Sequence, residues 1–226
     1  MSPRFGISTQ RKLIDILSLT VPAVSGVRTT HLTLGEIPTS RVDATHADHA
    51  DAPSSAEKTA VLYLHGGGFV IGSAWCYRAL TSRLARWTGL PIFVPDYHLA
   101  PEHPHPAQLN DALSCVEALA ASGWPTDRLI IAGDSAGGNL SLAVVQALHA
   151  KGLPGPRALA LISPWSDASS SGDRQAKDAV IDPLWIDTLR PLIGPEDLLK
   201  TQRCRLSLAT LMDSRPHSFN LRAAKS

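Results

Sequence analysis

The sequence RLIIAGDSAGGNLSLAVV, residues 128–145, is the strongest indication of the fold. An apolar run enters a corner of small residues around Ser135, and a helix-like run follows. VLYLHGGGFV, residues 61–70, repeats the order, with an apolar run that meets His65 and three glycines. Because glycine costs backbone entropy inside regular structure, both stretches indicate corners where the chain needs positions without side chains.

Strand and helix patterns alternate around these two corners. Continuous apolar strands are typical of a parallel sheet that is buried on both faces. Their alternation with helices across short connections predicts an α/β sheet with right-handed crossovers. The predicted strands are residues 59–65, 91–97, 128–134 and 157–163, and the predicted helices are residues 76–89, 106–123 and 136–152.

The N-terminal part has weaker patterns. Residues 10–18 have weak helical periodicity and are predicted to form a short surface helix, whereas 27–34 alternates as a half-buried strand does. Residues 41–58 are polar and rich in Ala, Ser and Asp, which predicts a mobile connection. Its two histidines, His46 and His49, are interpreted as loop residues, since no third metal ligand lies at suitable spacing.

Composition limits the classes of protein that the chain can be. Its 226 residues, 44% hydrophobic and 18% charged, fit one globular domain. A formal net charge of +1 indicates no nucleic-acid or membrane-surface partner. No apolar run is long enough to cross a bilayer and no secretory signal is recognisable, so we expect a cytoplasmic protein without stable membrane insertion. Three cysteines without C-x-x-C spacing indicate reduced thiols rather than zinc ligands: Cys76, Cys115 and Cys204.

The serine corner fits the pattern G-x-S-x-G, with Ser135 between Gly133 and Gly137. A strand before it and a helix after it are the context of a nucleophile elbow. Such a turn lifts the Ser135 hydroxyl above the carboxyl edge of the sheet, where N–H groups at the helix N-terminus favour developing negative charge. The alternative is an N-capping serine among packing glycines.

The glycine run then has a chemical explanation. A nucleophile for acyl transfer needs N–H donors that point at the oxyanion of the tetrahedral intermediate. We assign the oxyanion hole to the N–H groups of Gly67, Gly68 and Ala136. The alternative, a phosphate-binding loop, lacks the G-x-x-x-x-G-K-[ST] lysine and the G-x-G-x-x-G spacing. His65 is predicted to organise the loop rather than to act as the base.

Three motifs carry a family resemblance: HGGG at 65–68, DYHLAPEHPHPA at 96–107 and GDSAGGN at 133–139. In this order the chain resembles the hormone-sensitive-lipase-like esterases, the GDXG group of α/β hydrolases, over residues 25–198. The resemblance implies an α/β-hydrolase fold with a mostly parallel sheet and helices on both faces. It also implies a carboxylic ester hydrolase for short-chain esters that uses a serine nucleophile and no metal or organic cofactor.

The resemblance assigns roles to individual residues. Ser135 would be the nucleophile that forms the acyl-enzyme, supported by the motif residues His65, Gly66, Asp134 and Gly137. The chain departs from the family at His98, where the family usually has arginine in D-Y-R-L-A-P-E. We interpret a second group as structural support near the site: Asp96, His98 and Glu102.

The resemblance implies a single α/β-hydrolase domain over residues 1–226 and divides this domain into four segments. A cap-like segment spans residues 1–26, the core 27–163 and a second cap-like segment 164–198, which leaves an aberrant tail at 199–226. Three bulky residues of the second cap-like segment would line an acyl pocket or pack the cap: Trp165, Leu184 and Trp185.

The tail departs from the family, which places an acid and then a histidine after the cap. Residues 199–226 have no clean strand and no acid in a turn, and Asp213 lies only four residues before His217. We hypothesise that a one-base frameshift near residues 198–200 replaced the authentic C-terminus, because the shifted frame can encode a Pro-Pro turn, a strand and an acid loop. A chain truncated in this way would have little or no turnover. The alternative is a non-catalytic protein that binds a small molecule on the same fold, and the oligomeric state stays open.

Overall fold

The computed structural model describes residues 6–45, 58–165 and 183–194, except the side chains of residues 183 and 184. Its strands are β1 (Val27–Leu34), β2 (Ile37–Ala44), β3 (Ala60–Leu64), β4 (Ile92–Pro95), β5 (Leu129–Asp134) and β6 (Ala158–Ile162). Its helices are α1 (Ile7–Ser18), α2 (Ala74–Thr88), α3 (Ala107–Ala121), α4 (Ser135–Ala150) and α5 (Pro183–Ile193), with a 3-10 turn at Thr126–Arg128.

The six described strands form one sheet in the order β1-β2-β4-β3-β5-β6. Strands β4, β3, β5 and β6 are parallel, whereas β2 is antiparallel to both β1 and β4. The predicted mostly parallel α/β sheet is therefore confirmed. In the register of β3 and β5, Leu64 lies beside Gly133, so the residues that follow the two strands meet at the same edge of the sheet.

Strand β3 is buried on both faces, as its uninterrupted apolar sequence predicts. Leu62 and Leu64 belong to the cluster that contains the buried side chains of α3 and α4. Val61 and Tyr63 belong to the opposite cluster, which contains buried residues of α2. Because side chains alternate along a strand, β3 packs against helices on both faces of the sheet. Strand β3 also lies between β4 and β5, so its C-terminal end is in the middle of the fold.

Two expectations for the N-terminal part need correction. Residues 41–44 were predicted to begin a mobile connection, but they complete β2, where Val42 is buried and Arg41 lies over the rings of Phe93 and Trp124. The sequence did not indicate this strand because its polar residues resemble those of a loop, and the rings that Arg41 contacts come from distant parts of the chain. Strand β1 is confirmed, but most of it is exposed because it pairs only with β2 in the described sheet. Residues 46–57, which include His46 and His49, lie outside the described residues.

The predicted surface helix at 10–18 is confirmed as α1, which begins three residues earlier and buries Gln10. Helix α5 lies in the predicted second cap-like segment. It buries three apolar side chains in the cluster that contains Leu62 and Leu64: Trp185, Leu189 and Ile193. None of the helices in the described ranges is long and apolar enough to cross a membrane.

Candidate active site

Ser135 lies at the junction of β5 and α4, as the first residue of the helix. Its φ of 50° is in the left-handed region, which a residue with a side chain rarely adopts. The Trp165 N–H donates to the Ser135 carbonyl oxygen at 2.8 Å, and Asn139 Nδ2 donates to the Trp165 carbonyl at 2.8 Å. These bonds stabilise a sharp turn that leaves Ser135 half-buried at the sheet edge.

The glycines beside Ser135 are explained by close backbone packing. A Cβ on Gly133 would lie 2.5 Å from the Gly137 carbonyl and 2.7 Å from the Leu64 oxygen. A Cβ on Gly137 would overlap the same Leu64 oxygen and lie 2.5 Å from the His65 oxygen. Helix α4 therefore packs directly on the backbone where β3 ends, which places the serine corner against the start of the glycine loop, residues 65–68.

A hydrogen-bond network around Asp134 joins the two corners. The Gly66 N–H donates to Asp134 Oδ1 and to the Tyr77 hydroxyl, both at 3.0 Å. Tyr63 donates to Asp134 Oδ1 at 3.0 Å, and Tyr77 donates to Asp134 Oδ2 at 2.8 Å. The carboxylate thus connects β3, β5, the glycine loop and α2.

Sequence reasoning missed both tyrosines of this network. Tyr63 lies inside an apolar strand, and Tyr77 lies in α2, 57 residues before Asp134. Burial and the nearby Asp134 carboxylate raise the pKa of Tyr63 and of Tyr77. Both hydroxyls therefore keep their protons and act as donors to the carboxylate.

His65 is fully buried in the glycine loop. Its ring stacks on Tyr97 with centroids 4.3 Å apart, and Nδ1 lies 2.8 Å from the Gly66 carbonyl oxygen. The Tyr97 hydroxyl donates to the His65 carbonyl oxygen at 2.6 Å. Burial lowers the pKa of His65, so the imidazole is neutral and its Nδ1–H donates to Gly66. No contact among the described residues joins this ring to the Ser135 hydroxyl.

The next residues of the loop turn sharply. Gly67, Gly68 and Phe69 have φ values of 115°, 60° and 61°. The Gly67 carbonyl accepts from the Val70 N–H at 3.1 Å and from the Ile71 N–H at 3.0 Å. Within the described part of the chain, the N–H groups of Gly67 and Gly68 donate to no acceptor, so they can bind an oxyanion.

Ala136, the third assigned donor, is the buried second residue of α4. The first N–H groups of a helix have no intrahelical acceptor. They also lie at the positive end of the helix dipole. The Ala136 N–H can therefore stabilise negative charge that develops beside Ser135.

The side chains that were predicted to give structural support, Asp96, His98 and Glu102, make hydrogen bonds to other elements of the fold. Asp96 accepts from the Ala74 N–H at 2.6 Å, and His98 Nδ1 lies 2.8 Å from Asp111. Glu102 accepts two hydrogen bonds from Arg11, each of 2.8 Å. The same guanidinium donates to the carbonyl oxygens of two loops, at Val70 (2.7 Å) and Ala100 (2.9 Å). Helix α1 is thereby fixed beside the glycine loop.

Helices α1 and α5, which lie in the two predicted cap-like segments, meet beside the glycine loop. Trp185 of α5 is buried and donates through Nε1 to Gln10 Oε1 of α1 at 2.6 Å. A Cβ on Gly68 would lie 2.6 Å from Leu189 Cδ1, so α5 rests on the glycine loop. Trp165 approaches the ring of Phe69 at 6.4 Å, and the side chain of Leu184 lies outside the described residues.

The Ser135 hydroxyl has no hydrogen-bond partner within residues 6–45, 58–165 and 183–194. Asp213 and His217 lie outside these ranges, as does the whole predicted tail. The described side chains also contain no group of three or more His, Cys, Asp or Glu residues that could hold a metal ion. The described site thus holds Ser135 and the N–H groups of Gly67, Gly68 and Ala136 at one edge of the sheet.

Comparison with known proteins places this geometry in a family. The family described as having the α/β-hydrolase fold matches residues 61–216. A Mycobacterium tuberculosis protein provisionally named acetyl-hydrolase LipR is 35% identical over 83% of this chain and 58% of its own length. An acetyl-hydrolase of Streptomyces hygroscopicus is 37% identical over 58% of this chain and 45% of its own length. The chain thus spans less than two thirds of these relatives.

Solved structures agree with this assignment. An esterase of the bacterial hormone-sensitive lipase family superimposes with a TM-score of 0.74 at 31% identity, over 85% of this chain and 63% of the esterase. A hormone-sensitive lipase from a metagenome library gives a TM-score of 0.74 at 31% identity, over 83% of this chain and 63% of the lipase. With its serine corner and glycine loop at one sheet edge, the chain belongs to the α/β-hydrolase fold family, in the group of the hormone-sensitive-lipase-like esterases.

Proposed function

We propose that this chain carries the nucleophile and the oxyanion hole of a serine carboxylic ester hydrolase for short-chain esters. The observation that carries the proposal is the left-handed φ of Ser135 at the β5–α4 junction, beside a glycine loop in which the N–H groups of Gly67 and Gly68 donate to no acceptor among the described residues. Relatives named for acetyl groups, and an ethyl acetate hydrolase of Pseudomonas putida that is 40% identical over 49% of this chain and 36% of its own length, support a small acyl group.

In the proposed reaction, Ser135 Oγ attacks the carbonyl carbon of the ester and gives its proton to a base. The carbonyl oxygen becomes an oxyanion and accepts hydrogen bonds from the N–H groups of Gly67, Gly68 and Ala136. Collapse of the tetrahedral intermediate breaks the bond to the alcohol, which leaves with a proton, and an acyl ester remains on Ser135. Water then attacks this ester, releases the carboxylic acid and restores the serine.

A second function is favoured by one observation, the absence of a described hydrogen-bond partner for the Ser135 hydroxyl. A serine without a base is a weak nucleophile. Under this alternative the chain binds an ester-like small molecule and does not hydrolyse it. The two functions share the same pocket and differ in turnover.

Reaction with a p-nitrophenyl alkylphosphonate tests the proposal. We expect one covalent adduct, located by mass spectrometry on Ser135, and no adduct in Ser135→Ala. Ser141→Ala is the matched control because Ser141, in the same helix, is buried and donates to the Gly137 carbonyl at 2.8 Å. An adduct that persists in Ser135→Ala would contradict the assignment of the nucleophile.

Hydrolysis of p-nitrophenyl acetate separates the two functions. Turnover that disappears in Ser135→Ala identifies an esterase. Saturable binding of the ester without Ser135-dependent turnover identifies a binding protein.

A further inference from the structure

We infer that Tyr77 is a positioning residue for the oxyanion donors, an inference that rests on the function proposed for Ser135. Tyr77 lies in α2, outside every motif of the sequence. Its hydroxyl accepts the Gly66 N–H at 3.0 Å and donates to Asp134 Oδ2 at 2.8 Å. It therefore holds the residue that directly precedes the two assigned loop donors.

The direction of these hydrogen bonds follows from chemistry. A tyrosine hydroxyl has one proton and can also accept. Its proton goes to the Asp134 carboxylate, which leaves the oxygen free to accept from Gly66. Since burial and this carboxylate raise the pKa of Tyr77, the hydroxyl does not ionise and the arrangement persists across the neutral pH range.

Gly66 needs a fixed position because the residues after it are flexible glycines. A Cβ at Gly66 would lie 2.9 Å from the Tyr77 hydroxyl and would overlap the Asp134 carboxylate, so the close approach itself requires glycine. Gly67 and Gly68 have φ values that favour glycine, and their peptide groups can rotate more freely than those of other residues. The bonds of Gly66 fix one end of this pair, and the turn closed by the Gly67 carbonyl fixes the other.

Tyr63 is a matched comparison for Tyr77. Its hydroxyl donates to the same carboxylate, at 3.0 Å from Oδ1, and the two rings lie 5.9 Å apart. Among the described residues, however, Tyr63 makes no hydrogen bond to the glycine loop. Tyr63→Phe removes one donor to Asp134, whereas Tyr77→Phe removes a donor to Asp134 and an acceptor for the loop.

The first test is the rate of phosphonylation of Ser135 by a p-nitrophenyl alkylphosphonate. We expect Tyr77→Phe to lower kinact on the order of 10-fold, a fraction of the 10²–10³ that is lost when an oxyanion donor is removed. KI should stay within about two-fold, because the donors act on the transition state. Tyr63→Phe should lower kinact by less than about three-fold. Equal losses of kinact in the two variants, or a change in KI alone, would overturn the inference.

The second test needs no reaction at Ser135. The exchange of the Gly66 amide hydrogen is followed by NMR and should be at least about 10-fold faster in Tyr77→Phe than in Tyr63→Phe. The two variants are compared under conditions in which urea denaturation gives them equal free energies of unfolding. Equal exchange rates would overturn the inference. If the wild-type serine does not react, the proposed function fails, and the exchange rates alone decide the role of Tyr77.

A fallback variant covers failure to fold. If Tyr77→Phe shows no cooperative unfolding transition, Tyr77→Trp replaces the hydroxyl by an indole N–H, which can donate to Asp134 but cannot accept from Gly66. The inference then expects faster Gly66 exchange in Tyr77→Trp than in Tyr63→Phe. Equal rates in these two variants would reject it.

Discussion

The serine corner and the glycine loop lie side by side where β5 and β3 end, yet different forces hold them. The serine corner is held by backbone packing, since Gly133 and Gly137 leave no room for a Cβ. The glycine loop is held by hydrogen bonds from Gly66 to Tyr77 and Asp134 and by the stacked ring of His65. A packed corner tolerates no added atoms, whereas a hydrogen-bonded loop depends on the ionisation and exact placement of a few polar groups.

The largest effect is expected at the packed corner. Gly137→Ala would push a methyl group into the carbonyl oxygens of Leu64 and His65, which are backbone atoms that cannot move aside cheaply. We expect a loss of about 3 kcal/mol or more in the free energy of unfolding, measured by urea denaturation. Gly155→Ala is the control, because its Cβ would meet no atom within 4 Å. Equal stability of the two variants would contradict packing as the force that holds the corner.

An intermediate effect is expected at the buried ring of the glycine loop. Burial lowers the pKa of His65 from 6.5, so the unfolded state binds more protons than the folded state just below pH 6.5. Stability contributed by the neutral ring is therefore present above pH 6.5. It is lost as the pH falls toward the lowered pKa, by at most about 1.4 kcal/mol per pH unit.

Urea denaturation between pH 8 and pH 5 measures this dependence. We expect His65→Gln to have a flatter profile than the wild type. His149→Gln, at an exposed position at the end of α4, should keep the wild-type profile. A His65→Gln profile as steep as that of the wild type would show that the ring does not carry the pH dependence.

The smallest effect is expected outside the glycine loop, at the exposed ion pair between Arg11 of α1 and Glu102. Arg11 lowers the pKa of Glu102 to about 2, so the stabilisation is complete above the ordinary pKa of 4.5 and is lost as the pH falls toward about 2. Because Glu102 is exposed, Glu102→Gln should cost less than about 1 kcal/mol. Urea denaturation at pH 7 should show this loss shrinking in high salt. Glu117→Gln is the control, since Lys151 lies 4.0 Å away, and an equal cost would show that the Arg11 contact adds nothing.

Most of the parallel core could be predicted from the sequence. Strands β3, β5 and β6 and helices α2, α3 and α4 lie within two residues of their predicted bounds. Their apolar runs and glycine boundaries are local signals that depend little on distant residues. Strand β2 was not predicted at all, because Arg41 and Asp43 are typical loop residues and the rings of Phe93 and Trp124, which lie against Arg41, come from distant parts of the chain.

The positions of the two corners and the family that they resemble could be predicted from the sequence, because the glycines around Ser135 and after His65 form short motifs of neighbouring residues. The hydrogen bonds that join the two corners could be identified only in the folded chain. Tyr63, Tyr77 and Asp134 come from three separate elements, and nothing in their spacing along the chain indicates a shared carboxylate. The hydrogen bonds of Tyr63 and Tyr77 to Asp134 join residues 71 and 57 positions apart, so they depend on the register of the folded sheet rather than on any short stretch of sequence.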